Sequence, residues 1–195
     1  MKVFIVYCHP SDNSFTYKVC DSFIRGLKSA GHEVIISDLY KMNFQTDISE
    51  EEYLKETFYK SDTPVAEDVK IEQDKVQVSD AIVFIYPVFW TEAPAKLVGW
   101  FDRVWSTGFA YNPNPQMKVL EKALVIACAG KSKETLSITG EQMAMETVML
   151  GDRIRDRAKE KKMVILDNIT HWNEALREIT IPIHLEKAYE LGLNF

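Results

Sequence analysis

The sequence predicts an α/β fold in which a doubly wound, five-stranded parallel sheet has helices on both faces. Four short apolar runs carry this prediction, because none of them alternates polar with apolar residues. Strands that are buried on both faces have this pattern, which is typical of a parallel sheet covered by helices. Helical patterns separate the runs along the chain, as an α/β sheet requires. The runs span residues 3–8, 81–86, 123–128 and 163–166.

A fifth strand candidate spans residues 33–39 and is more polar than the other four. Its composition suits a strand at the edge of the sheet, where one side faces solvent. Five strands in this alternation favour the flavodoxin-like order 2-1-3-4-5.

Five helical patterns lie between and after the strands. Apolar residues recur at every fourth position from Phe15 to Leu27, which predicts a helix that ends near Gly31. Pro94 begins a second pattern, since proline is favoured in the first helical turn. The remaining patterns span residues 65–78, about 141–162, and 184–193, and the acidic stretch 47–56 is interpreted as a solvated helix face.

Length and composition are those of an ordinary globular chain, and we expect one domain over residues 1–195. The formal net charge of −6 argues against nucleic-acid binding, because such a surface repels phosphate backbones. The 3 cysteines include no C-x-x-C pair and predict reduced thiols in a cytoplasmic protein. No apolar run is long enough for a membrane span, so we expect a protein that is not embedded in a membrane.

Three loops are expected to meet where ligands bind in such folds, outside the carboxyl ends of the strands at the switch point between the two halves of the sheet. Here that point lies between the first and third strands. We name the segments loop one (residues 8–16), loop two (residues 87–93) and loop three (residues 129–133).

Loop one precedes a helix, so Asn13, Ser14 and Thr16 either cap backbone N–H groups or hold an anion there. Several phosphate sites are excluded, since the loop has neither the Walker pattern nor the Rossmann glycines. A phosphotyrosine phosphatase loop would need arginine where Ser14 stands. A receiver domain would need an acidic residue where Tyr86 and Pro87 close the third strand.

Loop two places Tyr86, Phe89 and Trp90 at the mouth of the expected site. These aromatic residues form either the wall of a flat cofactor or part of the core, and composition favours neither. No G-x-S-x-G hydrolase motif occurs. The histidines, His9, His32, His171 and His184, show no metal-ligand spacing.

A long segment identifies a family at this point. Residues 87–104, PVFWTEAPAKLVGWFDRV, followed by GFAY at 108–111, resemble the signature of the NAD(P)H:quinone oxidoreductase (DT-diaphorase-like) family. Residues 7–10 together with Ser14-Phe15 resemble the first loop of that family, and residues 31–40 resemble its second strand and following turn.

The resemblance implies a flavodoxin-like fold, a tightly bound flavin and a homodimer with active sites at the interface. The flavin implied is FAD, with FMN as the alternative. The reaction implied is a ping-pong transfer of hydride from NAD(P)H through flavin N5 to a quinone, with azo and nitroaromatic compounds as further acceptors. Two other functions stay open, a flavodoxin-type electron carrier and a regulatory subunit on a membrane transporter.

The resemblance also assigns site residues by position. His9, Ser14, Phe15 and Thr16 would hold the phosphate side of the flavin, and Pro87, Val88, Phe89 and Trp90 would line its rings. Ala129 and Gly130 would lie at the pyrimidine edge, with Lys131 as a candidate cation near flavin N1, and Tyr111 would line the substrate pocket as the catalytic candidate.

The chain departs from the family pattern in three places. Loop three lacks the hydroxyl residues of the family and one of its glycines. No histidine occurs between His32 and His171, so a histidine proton relay from this region is absent. Pro113 stands where the family has a second tyrosine.

Overall fold

A five-stranded parallel sheet of order β2-β1-β3-β4-β5 forms the centre of the computed structural model, which describes residues 1–112 and 114–195. Each pair of neighbouring strands is parallel, so the predicted fold class and strand order are confirmed. Pro113 lies outside the described residues. The strands are β1 (Lys2–Tyr7), β2 (Glu33–Asp38), β3 (Ala81–Pro87), β4 (Leu120–Cys128) and β5 (Ala158–Leu166).

Helices cover both faces of the sheet, because successive residues of the central strands point into two different cores. In β1, Phe4 and Val6 belong to one hydrophobic cluster, whereas Val3 and Ile5 belong to the other. Every residue of β3 is buried. The helices are α1 (Phe15–Ser29), α2 (Glu50–Thr57), α3 (Glu67–Val78), α4 (Ala95–Val104), α5 (Lys133–Ile138), α6 (Glu141–Glu146) and α7 (Glu174–Leu193), with a π-helix at Thr147–Ile154 and a 3₁₀ turn at His171–Asn173.

Helices α1 and α7 cross on one face of the sheet at backbone contact distance. A Cβ atom added to Gly26 would lie 2.1 Å from the carbonyl oxygen of Tyr189, and one added to Gly192 would lie 2.2 Å from that of Phe23. Only residues without a side chain permit so close an approach. This contact sets the position of α7.

Two predicted boundaries are wrong. The helix expected to extend to about residue 162 ends with the π-helix at Ile154, and β5 begins at Ala158. The first half of β5 is charged and exposed, so it carries no apolar signal. The terminal helix begins at Glu174, well before the predicted residue 184, and it contains Pro182, which obscures a helical pattern.

The acidic stretch is only partly a solvated face. Glu52 of α2 pairs with the buried guanidinium of Arg103 at 2.8 Å, and Glu56 accepts the backbone N–H of Thr107 at 2.9 Å. These two carboxylates therefore fix α2 against α4 and the chain that follows it. Within the described residues, no helix combines the length and the apolar character needed to cross a membrane.

Candidate functional site

A cavity of about 560 Å³ opens at the carboxyl ends of β3 and β4, where loops two and three meet the segment after β5. Volumes of this size are usual for sites that take small molecules and cofactors. Of the residues that the sequence analysis assigned to a flavin, five line this cavity: Val88, Trp90, Ala129, Gly130 and Lys131. It is also lined by Thr91, Leu136, Glu141, Thr170 and Trp172, which were not predicted as site residues.

Loop two turns back on itself through a strained, two-residue hairpin. The backbones of Phe89 and Glu92 exchange two hydrogen bonds of 2.9 Å, while Trp90 and Thr91 between them have φ angles of 52° and 67°. Left-handed backbone costs a residue other than glycine roughly 1–2 kcal/mol. The turn projects the Trp90 side chain outward with 99% of its surface exposed. Trp90 therefore forms a wall of the cavity and is not part of the core.

Loop one caps helix α1 and leads into backbone N–H groups at the start of that helix. The hydroxyl oxygen of Ser14 accepts the N–H of Tyr17 at 3.0 Å, so Ser14 is the N-cap of α1. The side chains of Phe15 and Thr16 are buried, but within residues 1–112 and 114–195 no acceptor is found for their backbone N–H groups. These donors stand at the positive end of a helix, where an anion is stabilised. His9 folds back, and its Nδ1 accepts the N–H of Ser11 at 3.0 Å.

Loop three brings a charge pair to the cavity. The ammonium group of Lys131 lies 2.6 Å from Glu141, whose carboxylate also accepts the hydroxyls of Thr91 and Thr139. The hydrogen bond from Lys131 holds the pKa of the Glu141 carboxyl below its usual range. Gly130 is exposed, and a Cβ atom there would meet only Thr170 at 3.6 Å. The cation predicted near the flavin therefore already has an anionic partner.

The segment after β5 supplies a second aromatic wall. Hydrogen bonds from the backbone N–H of Asn168 to Lys131 and of Ile169 to Ala129, at 3.3 and 3.4 Å, attach this segment to loop three. The Trp172 side chain beyond it lines the cavity with 98% of its surface exposed. The sequence signal for this residue was weak, because a single tryptophan outside any periodic pattern predicts no contact.

Replacing Trp172 by alanine is expected to weaken the binding of a planar ligand about threefold to tenfold. An aromatic contact contributes about 0.5–1.5 kcal/mol beyond the area that it buries. Titration of the apoprotein with FMN or FAD, followed by flavin fluorescence, measures the change. Ile179→Ala is the matched control, because Ile179 of α7 is 66% exposed and is not part of the cavity wall. Equal effects of the two variants would contradict the assignment.

Tyr111 lies apart from this cavity within the chain. Its hydroxyl donates to the carboxylate of Glu56, and its backbone forms a bridge with Thr107. Burial and the Glu56 carboxylate raise the pKa of Tyr111. Tyr111 lines two other cavities, of about 420 and 580 Å³, together with Arg155 and Arg157. The described chain thus does not bring the predicted catalytic tyrosine to Trp90.

The remaining residues that were assigned to the flavin rings, Pro87 and Phe89, belong to β3 and to loop two beside the cavity. Pro87 is the last residue of β3 and is buried, and Phe89 is 45% exposed beside the turn. In the described parts of the chain, no acceptor is found for the backbone N–H groups of Trp90, Thr91 and Gly130 at the cavity. Apolar walls with a few free donors suit a flat ring that carries polar atoms on one edge. The residues that line the cavity therefore fit the ring system of a flavin.

Comparisons with known proteins show which family and which solved structures this chain resembles. Residues 1–153 match a family described as having a flavodoxin-like fold. The solved NAD(P)H:quinone oxidoreductase from Methanothermobacter marburgensis is 41% identical, covers 100% of this chain and 96% of its own, and superposes with a TM-score of 0.92. The rat NAD(P)H dehydrogenase [quinone] 1 is 37% identical over 56% of this chain and 45% of its own. The chain thus spans about half the length of that curated relative.

A more distant structure shares the fold alone. It is an FMN-dependent NADH-azoreductase from Bacillus anthracis in complex with FMN, with a TM-score of 0.64 and 15% identity. The alignment covers 98% of this chain and 100% of that chain.

Proposed function

The chain belongs to the flavodoxin-like NAD(P)H:quinone oxidoreductase family, and from this premise we propose that it is a flavin-dependent oxidoreductase that passes two electrons from NAD(P)H to a quinone. One observation supports the proposal most directly: the cavity between the turn of loop two and loop three has an exposed tryptophan beside backbone N–H groups for which the described residues supply no acceptor. Azo and nitroaromatic compounds are proposed as further acceptors. The three buried free thiols suit our proposal of a cytoplasmic enzyme.

When bound, a flavin would supply the redox chemistry, and the protein would contribute binding, orientation and charge. We assign the phosphate to the backbone donors of Phe15 and Thr16, beside His9 and Ser14. Pro87, Val88, Phe89 and Trp90 would line the rings, and Ala129 and Gly130 would lie at the pyrimidine edge. FAD is our first choice and FMN the alternative. The FMN in the complex of the azoreductase, which shares the fold, supports a flavin as the bound group.

The proposed role of Tyr111 requires a homodimer. Within one copy the Tyr111 hydroxyl is turned to Glu56, in a cavity that Trp90 does not line. A second copy that docks on this face would bring its Tyr111 to the substrate side of the neighbouring cavity. The tyrosine would then line the pocket for nicotinamide and acceptor.

The charge pair beside the cavity is expected to tune the potential of the bound flavin. Lys131→Ala should lower the reduction potential, because a cation near flavin N1 stabilises the negative charge of the reduced form. Glu141→Gln should raise it, because the anion that compensates Lys131 is removed. Redox titration with reference dyes measures both. Lys133→Ala is the control, and potentials equal to the wild type in both test variants would refute the role.

A stopped-flow experiment under anaerobic conditions tests the proposed function. We expect loss of flavin absorbance when NADH or NADPH is added to the loaded protein, and its return when a quinone follows. A flavodoxin-type carrier would bind flavin but would not respond to either nicotinamide. A regulatory subunit would do the same and would also be retained by a membrane transporter in a pull-down. Either outcome would overturn the enzyme assignment.

A further inference from the structure

The π-helix at Thr147–Ile154 is an unusual feature of the chain that the proposed function does not yet use. The backbone N–H of Arg155 donates to the carbonyl of Leu150 at 3.1 Å, the i to i−5 bond that defines such a helix. Arg155 then has a φ angle of 47°, which is strained for a residue with a side chain. π-helices are rare and frequently occur at functional sites. The side chain that this segment positions is that of Arg153.

Arg153 is held on several sides by the π-helix and by α4. Its Nη1 donates to Oε1 of Glu92 at 2.9 Å and contacts the sulfur of Met149 at 3.4 Å. Its guanidinium lies 4.9 Å from the ring centroid of Phe101, and its carbonyl accepts the indole N–H of Trp105 at 2.7 Å. Only 14% of the side chain is exposed. A cation fixed in this way is a rigid anchor for Glu92.

Glu92 is the residue that closes the strained turn of loop two. Besides its two backbone bonds with Phe89, its Oε1 atom accepts both Arg153 and the N–H of Ala93, the latter at 2.7 Å. The same helical segment holds the other side of the turn, since Glu141 at the start of α6 accepts the hydroxyl of Thr91 at 3.2 Å. The segment from α6 through the π-helix is thus hydrogen-bonded to the turn at two residues, Glu92 and Thr91.

The orientation of Trp90 depends on these two hydrogen bonds. With 99% of its side chain exposed, Trp90 has almost no packing of its own to fix the indole. Its direction therefore follows from the left-handed backbone of the turn. If Glu92 loses its hydrogen bond from Arg153, the strained backbone of the turn can relax. The Trp90 indole, which forms the wall of the cavity, then changes its orientation.

We propose that Arg153 is a positioning residue, which acts through Glu92 to hold the turn at Trp90 and Thr91 in its left-handed conformation. The consequence for flavin affinity rests on the proposed function, whereas the consequence for the turn does not. Arg153 contacts no ligand in this proposal.

Three variants separate positioning from a general loss of charge. Arg153→Met keeps most of the side-chain length but removes the partner of Glu92, and Arg153→Lys keeps the charge. Arg25→Met is the matched control, because Arg25 also pairs with a carboxylate, that of Asp21, but on the exposed face of α1. Amide hydrogen exchange at Glu92 and Phe89 measures the turn directly, and flavin titration of the apoprotein with FMN and FAD measures its effect on binding.

We expect the exchange of these two amides in Arg153→Met to be at least tenfold faster than in the wild type, and the flavin Kd to be at least fivefold higher. Arg153→Lys should recover much of both effects, and Arg25→Met should match the wild type. Wild-type exchange rates in folded Arg153→Met overturn the proposal. If that variant does not fold, Glu92→Ala replaces it, with the amide of Phe89 as the readout. A wild-type protein that binds no flavin refutes the proposed function, while the exchange data still decide the role of Arg153.

Discussion

Replacing Trp90 by alanine is expected to raise the dissociation constant for flavin about fivefold to hundredfold. The side chain is almost entirely exposed at the cavity, so it contributes little to the core. Stacking of a planar heterocycle on an aromatic side chain contributes about 1–3 kcal/mol, and each 1.4 kcal/mol corresponds to about a factor of ten. Alanine keeps nearly the same backbone strain as tryptophan in the left-handed region, so the change isolates the indole.

Titration of the Trp90→Ala apoprotein with FMN and FAD measures this effect, and Trp90→Phe is the control that keeps a ring in place. The urea midpoint of the apoprotein should change little, because few contacts are lost. A variant that binds flavin as tightly as the wild type but is less stable would show that Trp90 is a structural residue.

Gly26→Val is expected to destabilise the protein by about 3 kcal/mol or more, at or above the upper end of overpacking effects. A Cβ atom at Gly26 would lie 2.1 Å from the carbonyl oxygen of Tyr189 and 2.8 Å from the amide nitrogen of Leu193. Both atoms belong to the backbone at the end of α7 and cannot move aside as a side chain does. The two helices would have to separate and expose the core beneath them.

Urea unfolding of the apoprotein, followed by circular dichroism, measures the loss. Gly151→Ala is the control, because a Cβ atom there would meet only a methyl group of Thr147 at 4.0 Å. The control should be as stable as the wild type or slightly more stable, since alanine is the better helix former. If Gly26→Val had wild-type stability, the close crossing of α1 and α7 would be wrong.

The central part of the fold was predictable because its signals are local. The fully buried β3 is a continuous apolar run, and loop two follows it directly, so the position of Trp90 at the sheet edge follows from the parallel topology. The cap of the first helix was likewise predictable to within a residue or two, and among the candidates Asn13, Ser14 and Thr16 the structure shows Ser14 as the N-cap. Such features depend on neighbours in the sequence.

The rest of the site depends on contacts between distant segments, which no local pattern encodes. Glu141, the first residue of α6, pairs with Lys131 of loop three, and α5 lies between them in the chain. Trp172 reaches the cavity because backbone hydrogen bonds attach the segment after β5 to the same loop. The hydroxyl of Tyr111 donates to Glu56 because α2 packs beside it. These contacts depend on how separate segments pack together, and the sequence pattern of each segment does not predict them.

The most direct test of the account is to denature the purified protein, separate the released chromophore by chromatography, and titrate the apoprotein with FMN and FAD. We predict a flavin absorption spectrum in the native protein and saturable quenching of the fluorescence of at least one of the two flavins on titration. A protein that is colourless as purified, and that leaves the fluorescence of both flavins unchanged, would contradict the assignment of the cavity between Trp90 and loop three.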